Sequence, residues 1–209
     1  MAIKYPQGQQ PLRPAQEQPQ QALGSSAAKR GMTLEHELNL SNQYYLSVDR
    51  AVIHKKPTPI QLVKVDYPRR SAAVVREAYF RRPSTTDYNG IYQGHYIDFD
   101  AKETRNKSSF PLKNFHAHQI EHLRHCLKQG GICFAIIRFT NLGQNYLYPA
   151  SKLIQAWDQQ DTGGRKSILL TTIQTDGFPI ALGLQPRLDY LAAVDQLLET
   201  IKHKGVDYE

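Results

Sequence analysis

The sequence has 209 residues, a net charge of +7 and a hydrophobic fraction of 40%. A chain of this length can bury a sizeable core without disulfides, and it fits one globular domain with appendages better than two domains. The hydrophobic fraction excludes an extended polycationic tail, so the charge belongs to a folded basic protein.

Three features of the sequence bear on its compartment. No stretch approaches the roughly 20 consecutive apolar residues that cross a membrane, and the first residues lack the apolar core of an export signal. The two cysteines, Cys126 and Cys133, lie in a helical pattern and in an apolar run, which predicts reduced core thiols. We therefore expect a cytoplasmic protein that is neither exported nor anchored.

The positive charge is concentrated in one part of the chain. Residues 50–82 carry a net charge of +7, whereas residues 83–209 contain 13 basic and 13 acidic residues. A basic segment beside a neutral body is typical of a contact with a polyanion, because each neutralised phosphate releases counterions. A solvated face that keeps the protein soluble is the other interpretation of the charge alone.

The first 30 residues differ in composition from the rest. They contain seven Gln and four Pro with few apolar side chains, so they cannot bury enough surface to offset the entropy of ordering. We predict a disordered basic arm over residues 1–30 and a folded domain over residues 31–209.

The folded domain begins with short elements. An amphipathic helix is predicted from Thr33, a suitable N-cap, to about Tyr45. A β-branched pair at residues 52–53 and the alternation in residues 60–65 predict two strands. Residues 66–82 have no clear element type, and we interpret them as a basic arm that projects from the body.

A β-hairpin is predicted over residues 91–102, with its turn at Gln93 and Gly94. The remaining predicted elements are a helix over 115–129, a buried strand over 132–139, a strand near 146–148, a helix over 151–160, a strand over 168–173 and a helix over 188–201. Interleaved helices and strands predict an α/β fold with a mixed sheet.

Two acids and a lysine share one face of the second hairpin strand. The period of two places Asp98, Asp100 and Lys102 together, and Asp87 precedes the hairpin. Such carboxylates suit a magnesium-dependent phosphodiesterase, because hard cations prefer oxygen ligands and a lysine stabilises transition-state charge. A solvated edge strand is the other interpretation, since acid-x-Lys is common on exposed strands.

Five stretches of the sequence resemble the RecU family. They are GMTLE at 31–35, IHKKPTP at 53–59, STTDYNG at 84–90, FDAKET at 99–104 and FPLKNFH at 110–116. The resemblance runs from about Gly31 to the C terminus. It implies a restriction-endonuclease-like core, with a mixed central sheet flanked by helices, and a basic stalk inserted over about residues 51–82.

The resemblance also implies an activity. RecU proteins are homodimeric resolvases that use magnesium or manganese to place paired symmetric nicks across a Holliday junction. By resemblance, expected partners are four-way DNA junctions, a second copy of the chain, the recombinase RecA and the branch-migration helicase RuvB.

Site residues carry over from the family motif by motif. Thr85, Asp87, Asp100 and Gln119 align with metal-site positions, and Lys102 aligns with the transition-state lysine. Asp87, Asp100 and Lys102 are thus the expected catalytic residues. Many members have Glu at the position of Asp100, so the shorter side chain leaves the metal geometry open.

Glu35 occupies the place where related junction resolvases keep a helix carboxylate near the metals. We include it among the catalytic candidates, and a solvent-facing helical glutamate is an equally weighted interpretation. The expected DNA contacts of the stalk and its base are Lys55, Lys56, Arg69, Arg70, Arg76, Phe80, Arg81 and Arg82.

Two functions other than a junction resolvase are suggested by parts of the sequence. The run His118-Gln119-Ile120-Glu121-His122 matches the inverted zinc-peptidase signature, although that chemistry needs a further carboxylate from a much larger fold. A strand-annealing factor that binds DNA and modulates RecA is the second alternative. The paired acids speak against a pure binding protein, because they repel phosphate unless a cation intervenes.

Overall fold

The structure is a computed structural model that describes residues 33–66, 74–80 and 85–204. The predicted arm over residues 1–30 lies outside the described residues. Four of the predicted DNA contacts also lie outside them, namely Arg69, Arg70, Arg81 and Arg82. Among the described residues, no helix combines the length and apolar character needed to cross a membrane.

Helices and strands alternate along the chain. In chain order they are α1 (Leu34–Ser47), β1 (Val52–Lys55), β2 (Ile60–Asp66), β3 (Val74–Phe80), β4 (Tyr88–Tyr92), β5 (His95–Thr104), β6 (Ser109–Pro111), α2 (Ala117–Lys128), β7 (Ile132–Phe139), β8 (Gln144–Pro149), α3 (Ala150–Gln159), β9 (Ser167–Leu169), α4 (Leu170–Asp176), β10 (Phe178–Pro179) and α5 (Tyr190–Lys204).

A six-stranded sheet organises the fold, with strand order β1-β4-β5-β7-β8-β10. Strands β5 and β7 run parallel, and the other neighbouring pairs are antiparallel. Parallel pairing requires a crossover, and α2 is the helix between these two strands in the chain. The predicted α/β class with a mixed central sheet is confirmed.

Each face of the sheet is covered by its own hydrophobic core. On β5 and β7 the side chains alternate, so that Phe99 and Phe134 lie in the core with residues of α1 and α5, while Cys133 and Ala135 lie in the core with α2 and α3. The Phe99 ring stacks between Tyr88 and Phe134, with centroids 4.9 and 4.8 Å away. The opposite, polar face of β5 therefore lies beneath α2.

Local sequence signals explain where elements begin and turn. The Thr33 hydroxyl accepts a hydrogen bond from the His36 N–H at 3.2 Å, which caps α1 as predicted. Gln93 and Gly94 both have positive φ, 49° and 79°, as a two-residue type I′ hairpin turn requires. The predicted hairpin is therefore confirmed, with strands β4 and β5 pairing from Tyr92 opposite His95.

Two element predictions were wrong in part. The helix predicted from residue 115 begins at Ala117, because a 3₁₀ turn over Leu112–Asn114 precedes it. The strand predicted over 168–173 ends at Leu169, and the chain then enters α4. The β-branched residues within 168–173 favour a strand, so the local sequence did not predict this helix. Ile173 of α4 is buried in the core beside α2 and α3.

The two strands of the basic segment form a separate antiparallel ribbon. Strands β2 and β3 pair with each other, with Ile60 opposite Phe80. The side chains of Ile60 and Tyr79 are more than half exposed, at 54% and 60%. An exposed two-stranded ribbon suits a stalk, and the boundaries of that insertion stay a prediction.

A buried ion pair joins the first helix to the sheet. Glu37 of α1 accepts hydrogen bonds from Arg138 of β7 and, at 3.3 Å, from Arg187. Glu37 and Arg138 are both almost fully buried, and Arg138 also donates to Asn145 at 2.6 Å. Each charge thus depends on the other for compensation.

We expect Glu37→Leu to lower the free energy of unfolding by about 3–5 kcal/mol, because it leaves the Arg138 guanidinium buried without its partner. The double variant Glu37→Leu, Arg138→Met should recover much of that loss, since the other partner of Glu37, Arg187, is partly exposed and no deeply buried charge is left isolated. Urea unfolding followed by circular dichroism measures both. Equal stability of the single and double variants would contradict this account of the pair.

Candidate active site

The polar face of β5 carries the predicted site residues. Asp98 and Asp100 are fully buried there, and Lys102 is partly exposed further along the strand. Gln119 and His122, three residues apart on α2, contact Asp100 and Asp98 respectively. The strand period thus placed these residues on one face correctly, although the face is buried rather than solvated.

The segment before β4 brings Asp87 against this strand. The Lys56 N–H donates to the Asp87 carbonyl at 2.8 Å, and the Asp87 N–H donates to Asp100 Oδ1 at 3.2 Å. Lys102 Nζ lies 3.4 Å from Asp87 Oδ2 and 3.5 Å from Asp100 Oδ1. Two carboxylates and one ammonium group therefore meet at one point.

Within the part of the chain that the structure describes, the buried carboxylate of Asp100 has hydrogen-bond donors on one oxygen only. Its Oδ1 accepts from Gln119 Nε2 at 3.1 Å, whereas its buried Oδ2 has no hydrogen-bond partner among the described residues. Burial raises the pKa of Asp100 to about 8; Lys102 acts in the opposite direction, and the Asp87 charge adds to the rise. Without a further cation, the ionised form of Asp100 is thus disfavoured near neutral pH.

These residues fit a hard divalent cation. The unpartnered Asp100 Oδ2 is a free buried acceptor, and the half-exposed Asp87 carboxylate stands beside it. Thr85, predicted as a further oxygen ligand, lines a cavity together with Asp87. An all-oxygen donor set with two carboxylates is the set that Mg²⁺ prefers.

Gln119 is oriented by the helix that carries it. Its Oε1 accepts from the His116 N–H at 3.1 Å, as in a capping box, so its amide nitrogen points at Asp100. In this arrangement Gln119 holds the carboxylate in place. A direct bond from Gln119 to the metal stays a prediction, and it would require the cap to open.

Asp98 differs from Asp100 in being fully compensated. Its carboxylate accepts from Lys56 Nζ at 2.8 Å, from the Tyr96 hydroxyl at 2.7 Å and from Thr86, with His122 Nε2 at 3.1 Å. Burial alone would raise the pKa of Asp98, but these hydrogen bonds lower it below its ordinary value. Asp98 is therefore ionised and ties three segments together.

The sequence did not reveal this role of Lys56. We expected it to contact DNA, yet its ammonium group lies against Asp98 and the Thr86 hydroxyl, each at 2.8 Å. The sequence did place Asp98 on the same strand face as Asp100. A buried carboxylate at that position needs a positively charged partner to stay ionised. Nothing local identified Lys56 as that cation, because 42 residues separate the pair.

Glu35 lies at the mouth of the site. It lines a cavity of about 480 Å³ that also contains Thr85, Asp87 and Lys55. Lys55 Nζ binds the Glu35 carboxylate at 2.5 Å. Glu35 therefore lines the same cavity as Asp87, and its carboxylate forms an ion pair with Lys55.

Two further predicted DNA contacts are described on the ribbon. Arg76 is exposed on β3, and its guanidinium donates to Asp66 at 2.6 Å. Phe80 is the last residue of the same strand. Both residues belong to the ribbon of β2 and β3, and their contacts with DNA stay predictions.

The zinc-peptidase signature does not form a two-histidine site. The His118 ring stacks on His116, with centroids 5.4 Å apart, whereas His122 Nε2 faces Asp98. Among the described residues, the cluster with metal-ligand spacing includes His122 and excludes His118. The geometry thus gives no support to a peptidase.

The fold and the site have the features expected of a restriction-endonuclease-like nuclease, with Asp100 and Lys102 on a central strand of a mixed sheet and Asp87 beside them. Residues 29–196 match the family model RecU, recombination protein U. The chain belongs to the RecU family, and the resemblance of its motifs is confirmed.

Curated relatives agree over nearly the full length. Proteins named Holliday junction resolvase RecU from Limosilactobacillus fermentum, Limosilactobacillus reuteri and Lacticaseibacillus casei are 65%, 64% and 59% identical to this chain. The matches cover 100%, 95% and 96% of this chain and 100%, 98% and 97% of the relatives. The similarity therefore extends far beyond the residues of the site.

The raised pKa of Asp100 makes a prediction for the metal-free protein. Because the folded pKa is about 8 and the ordinary value is 3.8, the fold should lose stability as pH rises through this window. Asp100→Asn removes that loss, so its unfolding free energy relative to wild type should grow from about pH 5 to about pH 8. Urea unfolding in a chelator measures this.

Asp161→Asn, which changes an exposed carboxyl outside the site, is the matched control. Added Mn²⁺ should stabilise wild type more than Asp100→Asn, because only wild type keeps both carboxylates. A constant difference between Asp100→Asn and wild type across the pH range would contradict the burial argument.

Proposed function

We propose that this chain is a structure-selective endonuclease that resolves Holliday junctions in DNA recombination and repair. The main support for this proposal is that Lys102 contacts both Asp87 and Asp100, and that Asp100 Oδ2 is buried without a hydrogen-bond partner among the described residues. Relatives named Holliday junction resolvase RecU, 58–65% identical, support the choice of four-way DNA as substrate.

The acids would hold a divalent cation, with Mg²⁺ as the expected ion and Mn²⁺ as a substitute. Asp87 and Asp100 are the proposed ligands, with Thr85 and Gln119 completing or orienting the set. When bound, such a cation polarises a phosphate oxygen and lowers the pKa of a coordinated water. Its positive charge also removes the penalty of ionising the buried Asp100.

Lys102 has a separate task. Its ammonium lies within 3.5 Å of both acids and is partly exposed. A phosphodiester that approaches Asp87 would meet this charge. We assign Lys102 to stabilising the added negative charge of the phosphorus centre during cleavage. Glu35 lines the same cavity as Asp87, and we propose that it is an accessory acid that orients water.

The stalk supplies affinity for the junction. The segment 50–82 holds the excess charge of the chain, and its described ribbon exposes Arg76 and Tyr79. Phosphate contacts give affinity without reading bases, which suits recognition of a branch by shape. A pure annealing protein fits less well, because it has no use for the unpartnered carboxylate oxygen at Asp100.

Paired symmetric nicks require two active centres. The described residues of one chain supply one such centre, so a homodimer is the proposed working form. Contacts with RecA and with RuvB stay predictions from the family resemblance. We place the activity in the cytoplasm, where bacterial DNA recombines.

Asp87→Ala should abolish cleavage of a synthetic four-way junction and leave junction binding nearly intact. The reason is that Asp87 belongs to the metal site, whereas the affinity resides in the stalk. Cleavage gels with Mg²⁺ and gel-shift titrations measure the two effects, with linear duplex as the substrate control. Asp161→Ala is the matched exposed carboxylate, and full cleavage by Asp87→Ala would refute the assignment.

Reversing Arg69 and Arg70 to Glu should weaken junction binding by about tenfold or more at physiological salt, with little change in thermal stability. The salt dependence of binding should also become shallower, because fewer counterions are released. The control reverses two exposed lysines outside the stalk, Lys166 and Lys202. Unchanged affinity of the stalk variant would sink the role given to this segment.

A further inference from the structure

A second cluster of metal-ligand side chains lies on the other side of Asp98 from the catalytic acids. Asp98 of β5 and His122 and Cys126 of α2 each offer one ligand atom, and the three atoms lie within 4.8 Å of one another. His122 Nε2 is 3.1 Å from Asp98 Oδ2 and 3.5 Å from Cys126 Sγ. One nitrogen thus faces both an oxygen and a sulfur.

The two distances from His122 Nε2 are close to the edges of a tetrahedral zinc site. With Zn–N and Zn–O bonds of about 2.0–2.1 Å and a Zn–S bond of about 2.3 Å, the N–O and N–S edges come to about 3.3 and 3.5 Å. We propose that Asp98, His122 and Cys126 form a site for Zn²⁺, distinct from the oxygen-only catalytic centre. The donor set of one sulfur, one nitrogen and one oxygen favours a borderline-soft ion over Mg²⁺.

The site is reachable from solvent. His122 and Cys126 line a surface groove of about 560 Å³ together with Tyr96, His125 and Gln129. This groove is separate from the cavity that contains Asp87 and Thr85. A hydrated ion can thus enter without passing the catalytic acids, and water from the groove can take the fourth position.

Binding requires two proton rearrangements. In the metal-free chain His122 Nε2 donates to the ionised Asp98; as a ligand it gives up that hydrogen, and the neutral ring carries its proton on Nδ1. The Cys126 thiol releases its proton to water when the sulfur binds the metal. Zinc therefore replaces the His122–Asp98 hydrogen bond with two metal bonds.

Lys56 opposes the ion and limits its affinity. Its ammonium lies 2.8 Å from the same Asp98 oxygen. The thiolate of Cys126 adds the negative charge that the metal needs, so the site with zinc carries one net positive charge more than the site without it. This arrangement fits a reversible site rather than a permanent structural one, and zinc would clamp α2 to β5 while bound.

The test uses the full-length chain carrying Asp100→Asn, so that the catalytic carboxylate cannot bind the added ion. Zn²⁺ alone is titrated against a chromophoric chelator, with and without a further Cys126→Ser change. We expect one zinc per chain and a loss of affinity of at least about tenfold on Cys126→Ser. His125→Gln, one turn away at the rim of the groove, is the matched control and should retain binding.

Cobalt identifies the sulfur. The Co²⁺ form should show a sulfur-to-cobalt charge-transfer band in the near ultraviolet that disappears in Cys126→Ser and persists in Cys133→Ala. Zinc should also raise the melting midpoint of the parent and not of Cys126→Ser. Equal zinc affinity with and without Cys126, or a cobalt band that survives its removal, would overturn the site. Junction cleavage by the otherwise wild-type chain tests the proposed function separately.

Discussion

Strand β5 buries two carboxylates on the same face, and the active site depends on the different ways in which they are compensated. Asp98 is surrounded by donors from Lys56, Thr86, Tyr96 and His122, which lower its pKa despite burial. Asp100, two residues on, keeps an oxygen without a partner, and its pKa rises to about 8. The first carboxylate is a fixed structural anchor, and the second creates a demand for a cation.

Helix α2 links these two roles, because it places Gln119 over Asp100 and His122 over Asp98 at a spacing of three residues. The segment before β4 is fixed from the same anchor, since Thr86 bonds Asp98 and the next residue, Asp87, bonds Asp100 through its N–H. Any shift of Asp98 would therefore move Asp87 and Asp100. The relative positions of Asp87 and Asp100 thus depend on a third carboxylate, Asp98, which holds the surrounding segments in place.

Much of the site was predictable because its signals are local. The period of two placed Asp98, Asp100 and Lys102 on one face, and Gln93-Gly94 located the hairpin that brings β4 beside them. The bond from Lys56 to Asp98 was not predictable, because it spans 42 residues and depends on tertiary packing. Helix α4 was missed for the opposite reason: its local sequence favours a strand, and burial of Ile173 overrides that preference.

The separation of charge along the chain explains how one small protein can both hold and cut a polyanion. Asp87 and Glu35 repel phosphate, so the centre by itself would weaken DNA binding. The excess of positive charge in residues 50–82 offsets that repulsion. Within this segment Lys55 pairs with Glu35 and Lys56 with Asp98, whereas Asp87 and Asp100 are contacted by Lys102 and remain available to a further cation. A separate lysine paired with each of Asp87 and Asp100 would have neutralised both carboxylates, and no metal ion would then be needed to compensate their charge. The single partly exposed Lys102 leaves that need in place.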